Sequence, residues 1–557
     1  MTGARGLGDK ERGAFDFIVV GAGSAGCLLA ARLADDGKNS VCLIEAGRSG
    51  GDILYDLPML AGRLYLKPEN NWSYYSVPQP GLNNRQIFLP RGKKVGGSFI
   101  FNGAQYIRGN RSDYDQWAQM GNKGWSFEEV LPYFKRSEKY LTTTASGFRN
   151  GYHGKDGQLA VSKPDRVNVL TDAFLQACKA AGFPLNDDFN GPQQEGFGVY
   201  DFNVSEGRRC TTRRAFLDGA VARGHVTLIS NAEVNKLVVE ADKVVGVEYT
   251  AGGQTFVVRP NREVVLTAGA MNTPKLLMLS GIGNGEHLSS LGIQVARNLP
   301  GVGENFMDHI NVAIFHRSKE KVSLGGVLRW DRFAVATLNT FLLKKGPLSQ
   351  SALEAGGFFS SRPGLAAPDC QAVFVPIAGT ASKIKAPWAE RLDDHGFLMP
   401  LWQNRPASRG RITLRSADPR DGIDIDPRFM SYREDVETTR EAVKIGRRIL
   451  ACHPLDRYRG AEVSPGKDVT TDDEIEAFIK ENGKSGHHAC GTAKMGSDNM
   501  SVVDHQLRVH NLRNLRIADA SVTPTIVTGN TNAVTIMIAE KASDLMLQRA
   551  PLAPELP

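Results

Sequence analysis

Three glycines near the amino terminus have the spacing of a phosphate-binding turn. Gly21, Gly23 and Gly26 lie in the segment FIVVGAGSAG, residues 17–26, and form a G-x-G-x-x-G pattern that also contains Ser24. In this pattern the first glycine permits a tight turn, the second lets the backbone approach a pyrophosphate, and the third lets a helix pack closely on a strand. The three residues therefore predict a dinucleotide-binding site.

The residues around these glycines predict the strand–helix–strand unit that such a site requires. Apolar runs at 15–20 and 41–47 predict two buried strands, and the segment CLLAARLADD between them predicts a helix. The phosphates would lie at the positive amino terminus of that helix. Glu45 ends the second strand 19 residues after Gly26, where a carboxylate accepts hydrogen bonds from ribose hydroxyls. NAD and FAD fit these residues equally well.

Composition excludes several other classes of protein. The 557 residues are 41% hydrophobic and 23% charged, which predicts a globular protein with more than one substructure. The net charge of +7 comes from dispersed basic residues, without a patch typical of nucleic-acid binding. Seven dispersed cysteines predict a reducing cytosol and neither a disulfide framework nor a metal site. We find no secretory signal and no run of about 18 apolar residues that could span a bilayer.

The middle of the chain predicts a second sheet. Strand patterns between 233 and 268 predict an antiparallel excursion that returns to the nucleotide-binding region. Between 310 and 430, the apolar runs CQAVFVP, HGFLMPLWQ and GRITLRS are separated by loops rich in glycine and proline. These runs are typical of an antiparallel sheet that forms a second domain.

Four segments together resemble the glucose–methanol–choline (GMC) oxidoreductase family. GKKVGGSFIFNGAQY at 92–106 and GAMNTPKLLMLSGIG at 269–283 look like its two signature patterns, and HACGTAKMG at 488–496 and GNTNA at 529–533 follow in the expected order. The resemblance runs from about Phe15 to about Leu547 and is strongest for the bacterial FAD-dependent alcohol and choline dehydrogenase branch. It implies an α/β fold: a Rossmann-like FAD-binding domain and a substrate domain built on an antiparallel sheet.

The resemblance also implies that both domains are discontinuous. The FAD-binding domain is expected at 14–160, 210–309 and 486–547, and the substrate domain at 161–209 and 310–485. The third FAD-binding segment would carry the catalytic residues.

Specific residues are implied to hold FAD. Val234 should contact adenine through its backbone, and Asn102 and Gly103 should lie nearest the flavin. The expected cofactor-binding residues are Gly21, Gly23, Ser24, Gly26, Glu45, Gly92, Gly97, Ser98, Asn102, Gly103, Val234, Asp519 and Ala520. Some relatives attach FAD covalently through a histidine just before this asparagine; here that residue is Phe101, so we expect noncovalent FAD.

Alcohol oxidation requires loss of the hydroxyl proton and transfer of a hydride to flavin N5, and an unactivated alcohol needs a base for the first. The resemblance assigns the base to His488 and a hydrogen bond to the substrate oxygen to Asn532. The neighbouring His487 competes, but the spacing to Gly491 and Thr492 favours His488. In an extended segment the two side chains would point to opposite faces. The pair Asp308–His309 is interpreted as structural.

The expected reaction is FAD-dependent oxidation of a primary alcohol, aliphatic or aromatic, to the aldehyde. The enzyme would be a dehydrogenase or an oxidase, with oxygen or a quinone-like molecule as electron acceptor. Choline is disfavoured because no aromatic cage for a quaternary ammonium is evident. Leu353 precedes Glu354, and His487 stands where choline-acting relatives have an aromatic residue.

Three alternatives remain open: a hydroxynitrile lyase-like enzyme, a fatty-acid photodecarboxylase-like enzyme, and a non-catalytic flavoprotein. The expected location is the cytoplasm. Peripheral association with the inner membrane would suit a quinone-linked enzyme, but no amphipathic segment in the sequence indicates it. The sequence does not predict the oligomeric state.

Overall fold

The computed structural model describes residues 10–50, 53–60, 64–142, 150–164, 167–378 and 392–557. The α-helices of this part of the chain are α1 Ser24–Ala34, α2 Arg111–Gln119, α3 Phe127–Ser137, α4 Val169–Ala180, α5 Asp218–Ala222, α6 Gly269–Leu279, α7 Gly285–Ser290, α8 Trp330–Leu343, α9 Arg433–Leu450, α10 Asp472–Asn482 and α11 Asn532–Leu547.

The strands divide between two large sheets and several short ribbons. They are β1 Lys10–Val20, β2 Val41–Ile44, β3 Tyr74–Tyr75, β4 Phe88–Leu89, β5 Glu138–Tyr140, β6 Leu159–Val161, β7 Gly196–Val199, β8 Val204–Ser205, β9 Arg208–Arg209, β10 Val226–Ile229, β11 Ala232–Glu240, β12 Lys243–Ala251, β13 Gln254–Leu266, β14 Ile282–Gly283, β15 Arg297–Asn298, β16 Ile310–Ser318, β17 Ala355–Phe359, β18 Cys370–Phe374, β19 Gly396–Gln403, β20 Arg411–Leu414, β21 Ile423–Asp426, β22 Arg459–Ser464, β23 Lys484–Ser485 and β24 Leu515–Ile517.

The first large sheet forms the predicted nucleotide-binding unit. Its strand order is β10–β2–β1–β13–β12–β11, with β24 beside β13. The strands β10, β2, β1, β13 and β24 run parallel, whereas β11 and β12 pair antiparallel. All four residues of β2 are buried, as expected for a parallel sheet covered on both faces. The predicted antiparallel excursion is confirmed: β13 leaves β12 and returns beside β1.

Helix α1 begins directly after the glycine-rich turn and is apolar on nearly all sides, because it is enclosed by protein. Nine of its residues are buried. It packs against α11, the last helix of the chain. The guanidinium of Arg32 on α1 pairs with the buried Glu540 of α11 at 2.8 Å. The first and last helices of the chain therefore form one layer over the parallel sheet.

The second large sheet is antiparallel, as predicted, and two of the three apolar runs form its strands β18 and β19. The prediction is wrong for the third run, GRITLRS, because β20 pairs with β21 in a separate two-stranded ribbon. The strand order of the large sheet is β22–β16–β19–β18–β17–β7, with β23 beside β16. Burial alternates along all nine residues of β16, which is the pattern of a strand with one covered face. Helix α9 packs on the sheet at β19, β16 and β18.

The strands of each sheet come from separate stretches of the chain. Those of the second sheet lie within 161–209 and 310–485, and those of the first lie within 10–44, 226–266 and 515–517. The exact domain boundaries stay a prediction, although β1 begins before residue 14. A search of the described residues finds no helix with the length and hydropathy needed to cross a membrane.

Candidate active site

A cavity of about 1000 Å³ runs between the two sheets. One end is lined by the glycine-rich turn and by Glu45, and the other by His487, His488 and residues of the antiparallel sheet. The cavity therefore connects the glycine-rich turn before α1 with the second sheet, as a site for an elongated ligand requires.

The glycine-rich turn and the loop after residue 92 meet at this cavity. A methyl group on Gly97 would lie 2.7 Å from the Cα atom of Gly23, so this close approach of the two backbones requires glycine at position 97. A methyl group on Gly26 would lie 1.9 Å from the carbonyl oxygen of Gly21. Gly26 therefore packs α1 against β1 and lies behind the cavity wall.

The carboxylate of Glu45 shapes the same end of the cavity. It accepts hydrogen bonds from the backbone N–H groups of Ala22 and Gly47, both at 2.8 Å. Burial raises the pKa of Glu45, and these two hydrogen bonds oppose the rise. The carboxylate thus couples the end of β2 to the glycine-rich turn and borders the cavity, where a ribose can approach it.

Asn532, the first residue of α11, also faces this end. Its Oδ1 accepts a hydrogen bond from the hydroxyl of Ser24 at 2.6 Å. Its buried Nδ2 has no hydrogen-bond partner among the described residues. A buried donor without a partner costs free energy unless a ligand or water accepts its hydrogen bond. Together with the helix termini at Ser24 and Asn532, this donor fits a polyanionic dinucleotide such as FAD.

The predicted FAD-binding residues are spread along the cavity. Twelve of the thirteen line it, and Gly26 is the exception. At the inner end, Asp519 accepts hydrogen bonds from the N–H of Gly269 and the hydroxyl of Thr273, so it ties the start of α6 to the loop that carries Ala520. Their contacts with FAD stay a prediction.

His488 is held by three neighbours. Its backbone N–H donates to Asp308 Oδ1 at 2.7 Å, its Nδ1 lies 2.9 Å from Nδ1 of His309, and its Nε2 lies 3.0 Å from Nδ2 of Asn530. The hydroxyl of Ser485 donates to the other oxygen of Asp308. Because His488 is 9% exposed and lines the cavity, its ring is fixed but reachable by a ligand.

The hydrogen bonds determine which nitrogen of His488 carries the proton. His309 Nε2 lies 2.9 Å from the carbonyl oxygen of Asn404 and must donate to it, since a carbonyl only accepts. A neutral His309 then accepts at Nδ1, so His488 donates from Nδ1. The lone pair of His488 is therefore on Nε2, beside Asn530, where a proton acceptor is needed.

Burial and nearby cations keep both imidazoles neutral. Burial lowers the pKa of His309 to about 4. The pKa of His488 is lowered well below its ordinary value by burial and by the neighbouring His309, His487 and Arg91. Burial raises the pKa of Asp308 to about 6, and the charge of Arg91 opposes that rise. From the sequence, His309 is interpreted as structural, and its contact with His488 is not predicted. The one sequence signal for this contact is the position of His309 directly before β16.

The structure separates the two asparagines of GNTNA. Asn530 lies beside His488, whereas Asn532 is two residues further, inside α11, with its side chain turned to Ser24. The arrangement therefore favours Asn530 for the role that the sequence assigns to Asn532. The physical reason is that the helix begins at Asn532, so only the preceding loop residue can reach the histidine.

His487 faces the cavity from the adjacent position. Its backbone has φ = 66°, an unusual value for a residue with a side chain, so the chain turns sharply between the two histidines. Its ring centroid lies 5.9 Å from that of Tyr65. Apolar and aromatic side chains complete this chamber: Phe88, Phe101, Leu328, Leu353, Val375, Ile377, Leu398 and Trp402.

Among the described residues, no carboxylate lines the chamber around His487 and His488. The acidic residues that line the cavity are Glu45, Glu233 and Asp519. Glu45 lies at the glycine-rich end, Glu233 lies on β11, and Asp519 is hydrogen-bonded to Gly269 and Thr273 of α6. Glu354 is buried elsewhere: it accepts hydrogen bonds from the N–H of Asn168 at 2.8 Å and the hydroxyl of Thr171 at 2.5 Å. The described part of the chamber offers no counter-ion to a cationic substrate.

Comparisons with known proteins agree with this architecture. Models for the amino- and carboxyl-terminal parts of the GMC oxidoreductase family match residues 15–311 and 406–539. The chain is 43% identical to an oxygen-dependent choline dehydrogenase of Sinorhizobium fredii (strain NBRC 101917 / NGR234), over 97% of this chain and 96% of that protein.

Solved structures show the same fold. The chain is similar to pyridoxine 4-oxidase from Mesorbium loti, with a TM-score of 0.84 and 28% identity over 96% of this chain and 99% of the other. It is also similar to an FAD-dependent oxidoreductase from Chaetomium thermophilum, with a TM-score of 0.86 and 26% identity over the same shares of the two chains.

Proposed function

The chain belongs to the GMC oxidoreductase family and is an FAD-dependent enzyme that oxidises CH–OH groups, and we propose that its substrate is a primary alcohol, aliphatic or aromatic, with His488 as the base. One observation carries the assignment: a neutral histidine presents an unprotonated Nε2 to the cavity, held by His309 behind it. The aldehyde would be the product.

The protein's part in the reaction is to take the hydroxyl proton. An alcohol whose oxygen replaces Asn530 as the partner of His488 Nε2 would lose its proton to that nitrogen. His309 keeps the opposite nitrogen of His488 protonated and fixes the plane of the ring, so we describe it as a positioning residue. A positioned base of this kind contributes about 10²–10⁴-fold in rate.

Asn530 would bind the same oxygen. Its Nδ2 already points at His488 Nε2 from 3.0 Å, and an amide that donates to the base can donate to an oxygen placed between them. A hydrogen-bond donor at a developing negative charge stabilises the transition state more than the ground state. We therefore propose Asn530 in place of Asn532 for this role.

The residues at the glycine-rich end would hold FAD noncovalently. Glu45 would accept from the ribose, the N–H groups at the starts of α1 and α11 would face the pyrophosphate, and Asn102 and Gly103 would border the flavin. FAD, when bound, supplies the hydride acceptor. Phe101 offers no atom for a covalent link.

The chamber supports an uncharged substrate. Its walls are aromatic and aliphatic, and the cavity as a whole is lined by four cations, Arg85, Arg91, Lys275 and Lys484, and three carboxylates, Glu45, Glu233 and Asp519. A quaternary ammonium would enter a space without a carboxylate counter-ion among the described residues, so choline stays disfavoured although a choline dehydrogenase is a relative. The electron acceptor, oxygen or a quinone-like molecule, stays a prediction.

An anaerobic absorbance titration tests this function. Purified holoenzyme would be mixed with short and long aliphatic alcohols, benzylic alcohols, choline and sugars. We expect primary alcohols to bleach the oxidised flavin band and choline to leave it unchanged, and admission of air then shows whether oxygen is an acceptor. A flavin that no alcohol bleaches would contradict the proposal and favour lyase-like or photodecarboxylase-like chemistry. Bleaching by choline alone would overturn the substrate assignment.

A further inference from the structure

Helix α8 exposes an unusual number of large apolar side chains. The exposed fractions are 55% for Trp330, 59% for Val335, 58% for Leu338, 69% for Leu342 and 64% for Leu343. Single exposed apolar residues are common on proteins, but a cluster of this kind marks a surface that contacts something other than water.

The apolar residues form a stripe along one face of α8. Trp330, Ala334, Leu338 and Leu342 recur every four residues and are all exposed, so they lie one above another along the helix. We call these residues, with Val335, the α8 stripe. At about 1.5 Å per residue the stripe extends over roughly 20 Å, the length of the helix itself.

The opposite face of α8 packs on the apolar cluster behind the substrate chamber. Ala336 is buried in an apolar cluster with Phe101, and Phe333 and Phe341 pack against this cluster together with Tyr65 and Leu353. Several members of the cluster line the cavity. The apolar cluster therefore lies between the chamber and α8, and the α8 stripe is on the far side of the helix.

Basic residues flank the stripe at both ends. The segment 321–346 contains one acidic residue, Asp331, and five basic residues: Lys321, Arg329, Arg332, Lys344 and Lys345. Asp331 pairs with Arg329 and Lys344 pairs with Glu206, both at 2.8 Å, and the side chain of Lys345 is exposed. An apolar face with a tryptophan and cationic ends is the composition of helices that lie in the surface of an anionic membrane.

We propose that the α8 stripe lies in the surface of an anionic lipid bilayer and holds the enzyme there. A second copy of this chain fits less well, because two α8 helices packed face to face would bring basic ends together. Leucine and tryptophan side chains would enter the acyl boundary while the flanking cations meet lipid phosphates. This inference does not depend on the proposed alcohol oxidation, since membrane binding is measured without turnover.

Vesicle flotation tests the proposal with the holoenzyme. Vesicles of equal parts phosphatidylcholine and phosphatidylglycerol are expected to carry the enzyme to the top of the gradient at low salt. Pure phosphatidylcholine vesicles should bind it more weakly, and high salt should weaken binding to the anionic vesicles only. Light scattering on the same samples reports the oligomeric state.

Variants separate the stripe from the rest of the surface. Leu338→Glu with Leu342→Glu should lower partition into anionic vesicles at least about tenfold, because charged residues replace the inserted side chains. Lys345→Gln should lower it about fivefold, the effect of one basic residue near an anionic surface. Met120→Glu is the matched control: Met120 is 43% exposed at the end of α2, and its replacement should leave partition unchanged. Flavin content and circular dichroism verify that each variant is folded.

Two results would overturn the proposal. One is a wild-type enzyme that stays at the bottom of the gradient with every vesicle composition. The other is unchanged vesicle binding in the double leucine variant; if that variant also dissociates an oligomer of the wild type, the stripe is an interface between two copies instead.

Discussion

His488 is the residue on which most of the proposed chemistry depends. His488→Ala should keep the fold and the bound FAD, because the ring donates only to His309 and borders an open cavity. Flavin reduction by a primary alcohol should slow by about 10²–10⁴-fold. Stopped-flow absorbance under anaerobic conditions measures this rate. His487→Ala is the matched control and should change it far less; equal losses in both variants would contradict the assignment of the base.

The pH dependence of the same rate follows from the environment of His488. Burial lowers its pKa well below the ordinary 6.5, so the ring stays neutral and able to accept a proton as the pH falls through that value. The rate of flavin reduction should therefore stay constant from about pH 8 down past 6.5 and decline only at lower pH. A rate that is already half lost at 6.5 or above would show that another group titrates.

The two asparagines after Gly529 should have separable effects. Asn530→Ala removes the donor beside His488 and should slow flavin reduction by about 10–100-fold with FAD content unchanged, which corresponds to the loss of one hydrogen bond to a charged oxygen. Asn532→Ala removes the acceptor of Ser24 and the unpartnered Nδ2, so it should weaken FAD retention instead. FAD retention is measured from the absorbance spectrum and flavin reduction from anaerobic kinetics. If Asn532→Ala slows flavin reduction and Asn530→Ala weakens FAD retention, Asn532 has the catalytic role instead.

This pair of asparagines also shows what a sequence can and cannot predict at the residue scale. The GNTNA motif and its chemistry are recognisable in the sequence, but the choice between positions 530 and 532 depends on where α11 begins. Helix boundaries are the least certain part of a sequence interpretation. The contact between His309 and His488 joins residues 179 positions apart, and no local pattern encodes it.

At the scale of elements, the glycine-rich turn and the loop after residue 92 meet where the backbone of Gly97 approaches that of Gly23. Gly97 has φ = 55°, and a methyl group there would meet the Cα atom of Gly23 at 2.7 Å. Gly97→Ala should push the loop from the turn and lower the ratio of flavin to protein in the purified enzyme severalfold. Gly50→Ala, where a methyl group would meet no atom within 4 Å, is the control and should keep full flavin content. Equal flavin content in both variants would contradict this account of the site.

Helices and strands whose apolar residues recur with a clear period are predicted from the sequence, whereas elements without such a period are not. The strand–helix–strand unit and the antiparallel second sheet follow from apolar runs that are buried in the structure. Strand β1 starts five residues before the apolar run, at Lys10, because β13 pairs with it from Lys10 to Val20, whereas β2 pairs only with its second half. Helix α8 is not predicted from the sequence, because both of its faces carry apolar residues, one toward the apolar cluster and one toward the outside, and no helical period separates apolar from polar positions.

At the scale of the whole molecule, a buried ionic network joins the two domains' segments. Glu138 accepts hydrogen bonds from Arg108 at 2.7 Å and His153 at 3.0 Å, and His153 reaches Asp188, which precedes β7 of the second sheet, at 2.8 Å. Burial alone would raise the pKa of Glu138, but Arg108 and His153 hold it below its ordinary value. The network is therefore ionised at neutral pH.

Breaking this network should destabilise the enzyme. Glu138→Gln leaves Arg108 and His153 buried without their counter-ion, a change that costs about 3–5 kcal/mol in comparable sites. We expect the temperature of thermal inactivation to fall by roughly 3–4 °C. Asp242→Asn, which breaks an exposed pair with Arg513, should change it little. A similar fall in the inactivation temperature of both variants would mean that the buried network stabilises the enzyme no more than the exposed pair does.

The layer formed by α1 and α11 has a consequence for how the enzyme is made in the cell. The glycine-rich turn is translated early, whereas Asn532, at the start of the helix that covers α1, is translated 508 residues after its partner Ser24. Domains otherwise tend to mature in the order of their synthesis. Here the nascent nucleotide-binding unit stays incomplete until α11 has been translated, so we expect FAD to be captured only after that point, and a premature stop codon shortly before residue 532 to yield a chain that cannot retain its cofactor.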